Sequence, residues 1–357
     1  GDVYKRQAME RPFSRIDASI REKGRSIAEI AERSLGRTGF LLFIGFTIIM
    51  LLMVTSVFLT LTTTALASKY PIEFFGMDKL GIQTVVEKGV TYAVIGGIAS
   101  TSVIIITCFA PLIGYLLYKR GVNPWIMALA AVLVCVISIE IGLRYPIRID
   151  SRIWMVILTI YTIIAAGVPV WLILQPRDFT NAFLLYGGVG GMLLSAIVLG
   201  FSGVTIQAPL FNLDFGAEKV GHLWPVLFIT VACGAISGFH ALVAGGTTSK
   251  QIRYEKPDAR VVAYGGMALE AFLAVTVIIA IAVGLSFDRY SGIVFPTEAG
   301  VKENPILAYA LGVGGLLNKA MGLPVVYGTV FGILMVEGFV VTTLDTAVRL
   351  NLSLIHI

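Results

Sequence analysis

Four ionisable side chains stand inside long apolar stretches, where nothing in the neighbouring sequence offers them water: His240 in SGFHALVAGG, Glu270 in GGMALEAFLA, Glu337 in MVEGFVV and Asp345 in TTLDTAVRL. A charge at membrane depth is costly, so such groups face a cavity or a partner and mark pathways for ions or solutes. The chemistry they suit is proton or ion coupling, in which desolvation moves a carboxylate or imidazole toward titration near neutral pH. Eight residues separate Glu337 from Asp345, which on a helix puts them ~12 Å apart along the axis and within about 80° of one face. A simpler role for Asp345 is a pair with Arg349 one turn later. His240 could equally be a core histidine bonded to a carbonyl.

Polar groups of a second kind follow His240 directly. In Gly245-Gly246-Thr247-Thr248-Ser249-Lys250 the paired glycines stop a helix, and the hydroxyls can cap the next one or meet a ligand. Interrupted helices of this sort place free backbone groups at a transporter's substrate or ion. Thr247, Thr248 and Lys250 are therefore candidates for substrate or ion binding, with Thr343 and the four ionisable groups. Capping is the competing role for Ser249 and headgroup anchoring for Lys250. GGTTSK is no phosphate loop, because it lacks Gly before Lys and follows a helix. No second His or Cys stands at ligand spacing, so neither a metal nor another cofactor is expected.

The elements that must hold these residues are membrane spans. With 57% apolar and 14% charged residues and a mean hydropathy of +0.86, the chain is outside the range of soluble domains. Runs of about 20 apolar residues cross a bilayer as helices. They fall at Gly39–Leu66, Val94–Leu117, Pro124–Leu143, Ile153–Leu174, Ala182–Leu199, Trp224–Leu242, Val261–Leu285 and Val325–Leu344, while Ile306–Met321 reads as re-entrant or interfacial. The fold class predicted is an all-α polytopic transmembrane bundle of about eight or nine helices. With the N-terminus inside, fifteen Lys and Arg fall on the cytoplasmic side against nine outside, leaving out Lys319 and the first seven residues. That bias sets the orientation, and it accounts for the net charge of +5 without nucleic acid.

Along the chain, residues 8–37 read as a cytoplasmic amphipathic segment, with Ile20, Ile27, Ile30 and Leu35 above a charged face, and 38–351 as the transmembrane domain. Residues 1–7 and 352–357 are expected to be sequencing-adapter scars, since DVYKRQ and LSLIHI back-translate to the strands of a transposon mosaic end. The loop LQPRDF suits a cytoplasmic turn around Pro176 and Asp178. Cys108, Cys135 and Cys233 are far apart in apolar stretches and read as packing residues.

The block LWPVLFITVACGAISGFHALVAGGTTSKQIRYE, Leu223–Glu255, resembles the most characteristic stretch of the carbon starvation protein A family. Ser19–Gly36, Pro169–Leu184, Ala263–Ala274 and Phe339–Leu350 resemble the same family in the same order. The resemblance implies a bacterial inner-membrane carrier for peptides or a small carboxylate such as pyruvate, active in carbon starvation and moving its substrate with a proton or sodium ion. It also implies kinship with the amino acid, polyamine and organocation transporters, whose fold is an inverted repeat. Family proteins are longer at both ends. Two rivals stand beside the carrier: an intramembrane enzyme, for which the residues offer no constellation, and a membrane sensor or structural protein of the starvation response.

Overall fold

The computed structural model describes residues 19, 27–72, 83–87, 89–206, 208–209, 211–231, 238–246, 248–250, 252, 255–297 and 303–356. Helix α1, Ile27–Leu66, is broken at Gly36, where φ is 66°, a left-handed value that glycine adopts without Cβ cost. A short antiparallel sheet follows, of strands β1 (Tyr70–Pro71), β2 (Thr84–Glu87) and β3 (Val90–Ala93) in the order β1-β3-β2. Tyr92 of β3 lies opposite Pro71 on one side and Val85 on the other. This sheet is the departure from an all-helical chain, and it sits in a connection.

The remaining helices are α2 (Ile95–Gly114, continued by a π-helical turn Tyr115–Lys119), α3 (Pro124–Arg144), α4 (Ser151–Gly167), α5 (Leu174–Phe201), α6 (Leu213–Lys219), α7 (Gly238–Gly246), α8 (Glu255–Gly284), α9 (Phe287–Val294), α10 (Pro305–Met321) and α11 (Val325–His356). Their starts are written locally. Asn123, Asp150 and Asn304 each accept a backbone N–H of the first turn, and Pro124 and Pro305 occupy first helical positions that need no donor.

Among the described residues six helices are long and apolar enough to cross a membrane, within α1, α2, α3, α5, α8 and α11, each answering to one of the predicted spans. The predicted span Ile153–Leu174 is a shorter helix, α4, of 17 residues. The predicted span Trp224–Leu242 includes residues 232–237, which lie outside the described ones. Much of the spans' apolar surface is outward, as at Leu42, 72% exposed, and Trp125, 83%. Lipid is the solvent for such a surface.

The chain forms two compact units, one of residues 1–54, 210–274 and 346–357, the other of residues 55–209 and 275–345. In the first, Ala28 and Ala31 are buried, and Ala28 packs with Leu51, Leu242 and Ala347. Leu35 of the predicted amphipathic stripe is 54% exposed, while Ile20 lies outside the described residues.

The second unit is built on close contact between α2 and α3. A Cβ added at Gly142 would stand 2.6 Å from the carbonyl oxygen of Ile98, so only glycine lets these backbones approach. Ser102 Oγ donates across the contact to the carbonyl of Ser138 at 2.9 Å. Ile98, Ile106, Trp154, Leu158 and Ile333 form the core into which α4, α5 and α11 also pack.

Candidate functional site

The core of the second unit is not wholly apolar. Arg177, the fourth residue of α5, is 2% exposed, and its Nη2 lies 2.6 Å from Oδ2 of Asp345 on α11, also 2% exposed. Two further elements complete the arrangement. Tyr161 of α4 receives a hydrogen bond from Arg177 Nη1 and donates one of 3.4 Å to Asp345. Thr342 of α11 accepts from Arg177 Nη2 at 3.1 Å and donates to Asp178 Oδ1 at 2.7 Å.

Local sequence explains how Arg177 reaches this position. The stretch predicted as a cytoplasmic turn, LQPRDF, is instead the first turn of α5. Proline is accepted there because the N–H it lacks would have no helical partner. Arg177 and Asp178 are thereby carried into the bundle rather than left in a loop. Helical spacing suggests Arg349 as the partner of Asp345; the structure shows it engaged from a different helix, by Arg177 of α5.

One turn along α5, Asn181 donates to the carbonyl of Gly338 at 3.2 Å. Beside that contact is Glu337, fully buried, with neither carboxyl oxygen hydrogen-bonded. Arg177, Asn181 and Glu337 line a cavity of about 10 Å³, which is the space one water needs. Arg177 Nε and Asp345 Oδ1 are likewise buried without a partner. The site thus gathers one guanidinium and three carboxyl groups in a low-dielectric interior, where each unpaired charge costs several kcal/mol. It is suited to exchanging protons or small ions and to answering a charged ligand.

A larger cavity of about 510 Å³ opens in the same unit, where α2, α4 and α10 all begin. Lys69, Arg148, Ser151 and Asn304 are on its wall. Its volume is in the range of small-molecule sites.

Of the residues singled out from sequence, Glu337 and Asp345 are brought together in this unit. Thr343 is beside them in sequence, but its hydroxyl donates to Phe339 O of its own helix, and Thr342 makes the cross-helix contact. His240 on α7, Thr248 and Glu270 on α8 belong to the first unit, with His240 and Glu270 exposed. Thr247 and the side chain of Lys250 lie outside the described residues. Ser249 is buried, donating to Gly245 O at 2.8 Å and accepting from Ser19 at 2.9 Å, which is a capping role. Among the described residues no group of three or more His, Cys, Asp or Glu could hold a metal.

Sequence reasoning passed over Arg177, Tyr161 and Asn181. The signal for Arg177 was an Arg-Asp pair at the threshold of the apolar run FLLYGGVGGM, where a loop and a first helical turn read alike.

Apolar helices longer than a bilayer is thick, enclosing a desolvated ion pair, define an all-α polytopic membrane protein. The family described as "Carbon starvation protein CstA" matches residues 9–302, and the chain belongs to that family. The match takes in Arg177, Asp178 and Asn181 and stops before Glu337 and Asp345. "Peptide transporter CstA" of Bacillus subtilis is 28% identical over 95% of this chain and 57% of its own length. "Pyruvate/proton symporter BtsT" of Escherichia coli is 40% identical over 41% of the chain and 22% of its own. "Peptide transporter CstA" of Mycobacterium tuberculosis is 42% identical over 34% and 16%. The chain therefore spans little more than half the length of the Bacillus relative and less of the others. No solved structure matches it.

Proposed function

We propose that the chain is part of a secondary transporter that takes up peptides or a small carboxylate such as pyruvate, coupled to protons, across a bacterial inner membrane with its N-terminus in the cytoplasm. The observation that carries this reading is the Arg177–Asp345 pair, 2% exposed on both sides within helices of membrane-spanning length. Well-packed apolar residues of similar volume are often as stable as a buried ion pair, or more so, so a fold needing only to sit in lipid gains little from one. A carrier uses it, because a fixed charge pair can be opened by a substrate carboxylate or by a change of protonation. The wall of the larger cavity carries Lys69, Arg148 and Asp150, charges of both signs that suit the two ends of a peptide. The relatives, named as a peptide transporter and a pyruvate/proton symporter, support the same cargo.

Uptake into proteoliposomes tests the reading. Under an inward proton gradient the protein should accumulate labelled pyruvate or dialanine, and dissipating the gradient should abolish the accumulation. A starvation sensor without transport activity would accumulate neither.

A further inference from the structure

Glu337 differs from the other acids of the site in having no hydrogen-bond partner among the described residues. Both of its oxygens are buried and without hydrogen bonds, whereas Asp345 is held by Arg177 and Asp178 by Thr342. Its surroundings explain the isolation. From α2 the cavity receives Val103, Ile106 and Thr107, none of them titratable; from α5 it receives Arg177 and Asn181; its own helix contributes Leu334, Gly338 and Val341. Arg177 is the one charged group on that wall, with Asp345, Asp178 and Tyr161 behind it. One guanidinium among three carboxyls leaves the cluster short of positive charge, and what makes up the difference must fit a space of about 10 Å³. A peptide or an organic acid is far too large. A sodium ion needs a shell of oxygens, and this lining supplies few besides the carboxyl's own, with a cation on the wall. A proton, exchanged through one water, fits.

We propose that Glu337 is the residue that binds the coupling proton, and that Arg177 reads its charge by moving between Asp345 and Glu337. This rests on the transporter reading above. With the proton bound, Glu337 is a neutral acid and Arg177 stays on Asp345, as the structure shows. When the proton leaves to water, the carboxylate competes for Arg177, whose Nε is buried and unpartnered. Both carboxyls are on α11, so the exchange moves the tie between α5 and α11 by about two helical turns, from Asp345 to Glu337. Proton release is thereby converted into a shift of α5 against α11.

Two measurements on the full-length protein keep this inference separate from its foundation. In proteoliposomes, wild-type protein should exchange labelled pyruvate or dialanine in counterflow at equal pH and accumulate it under a pH gradient, and Glu337→Gln, which mimics the protonated state, should lose the gradient-driven accumulation. Gradient-driven accumulation at the wild-type level would overturn the proton site. Wild-type protein without counterflow of either probe would sink the transporter reading and this coupling role with it. Infrared difference spectra between acidic and alkaline samples examine the proton directly, with no transport required. A carboxylic-acid C=O band that disappears on alkalinisation should be present in the wild type and missing from Glu337→Gln, and a band that persists in the variant would refute the assignment.

Discussion

Replacing Arg177 by Met leaves Asp345 with one remaining contact, a 3.4 Å hydrogen bond from Tyr161, in a position where it is 2% exposed. Removing one member of a buried pair costs about 3–5 kcal/mol, because the other charge stays behind unpaired. Arg177→Met belongs at the upper end of that range. Asp345→Leu belongs at the lower end, near 3 kcal/mol, since Arg177 keeps Tyr161, Thr342 and, behind Thr342, Asp178. The two changes together leave neither charge and should cost less than either alone, roughly 1 kcal/mol or below. The interaction energy, the two single losses less that of the double variant, is then about 7 kcal/mol, or about five powers of ten in the unfolding constant. Titration with sodium dodecyl sulfate in mixed micelles, followed by tryptophan fluorescence, measures it, with Trp154, 3% exposed in the core of the same unit, as one reporter. Additive losses in the double variant would show that Arg177 and Asp345 do not act as a pair, and the argument for a charged transport site would fall with them.

Three further outcomes follow from the same structure. Gly142→Val should force α2 and α3 apart, because its Cβ would stand 2.6 Å from Ile98 O and 3.1 Å from Ser102 Oγ. The expected loss is about 1–3 kcal/mol or more, and an unchanged detergent midpoint would contradict the packing. Asn304→Ala removes the 3.0 Å cap on Leu307 N and should cost about 1 kcal/mol, while Asn304→Asp should retain the cap. Glu270→Gln, at an exposed position of α8 in the first unit, should leave gradient-driven uptake and membrane insertion intact. Loss of gradient-driven uptake in that variant would bring Glu270 into the coupling machinery.

The sequence alone settles the solvent, the class of fold and the family, because each of these depends on long local patterns. Twenty-residue apolar runs are stable in hydrocarbon only as helices, whose backbone groups bond within the run itself, so spans such as Pro124–Arg144 are legible without any partner. Caps are equally local, as Asn123-Pro124 and Asn304-Pro305 show. Glu337 and Asp345 stand out for the same reason, as acids where the surrounding stretch is apolar. Which groups meet them depends on contacts between helices distant in sequence. Arg177 looks like a loop residue until α5 is seen to begin three residues before it, and Thr343 looks as useful as Thr342 until the rotation of α11 sends only Thr342 across to Arg177 and Asp178. Composition and period fix what a helix is soluble in. The angle and depth at which it meets its neighbours come from side-chain packing over the whole unit, and that packing brings one arginine within 2.6 Å of Asp345.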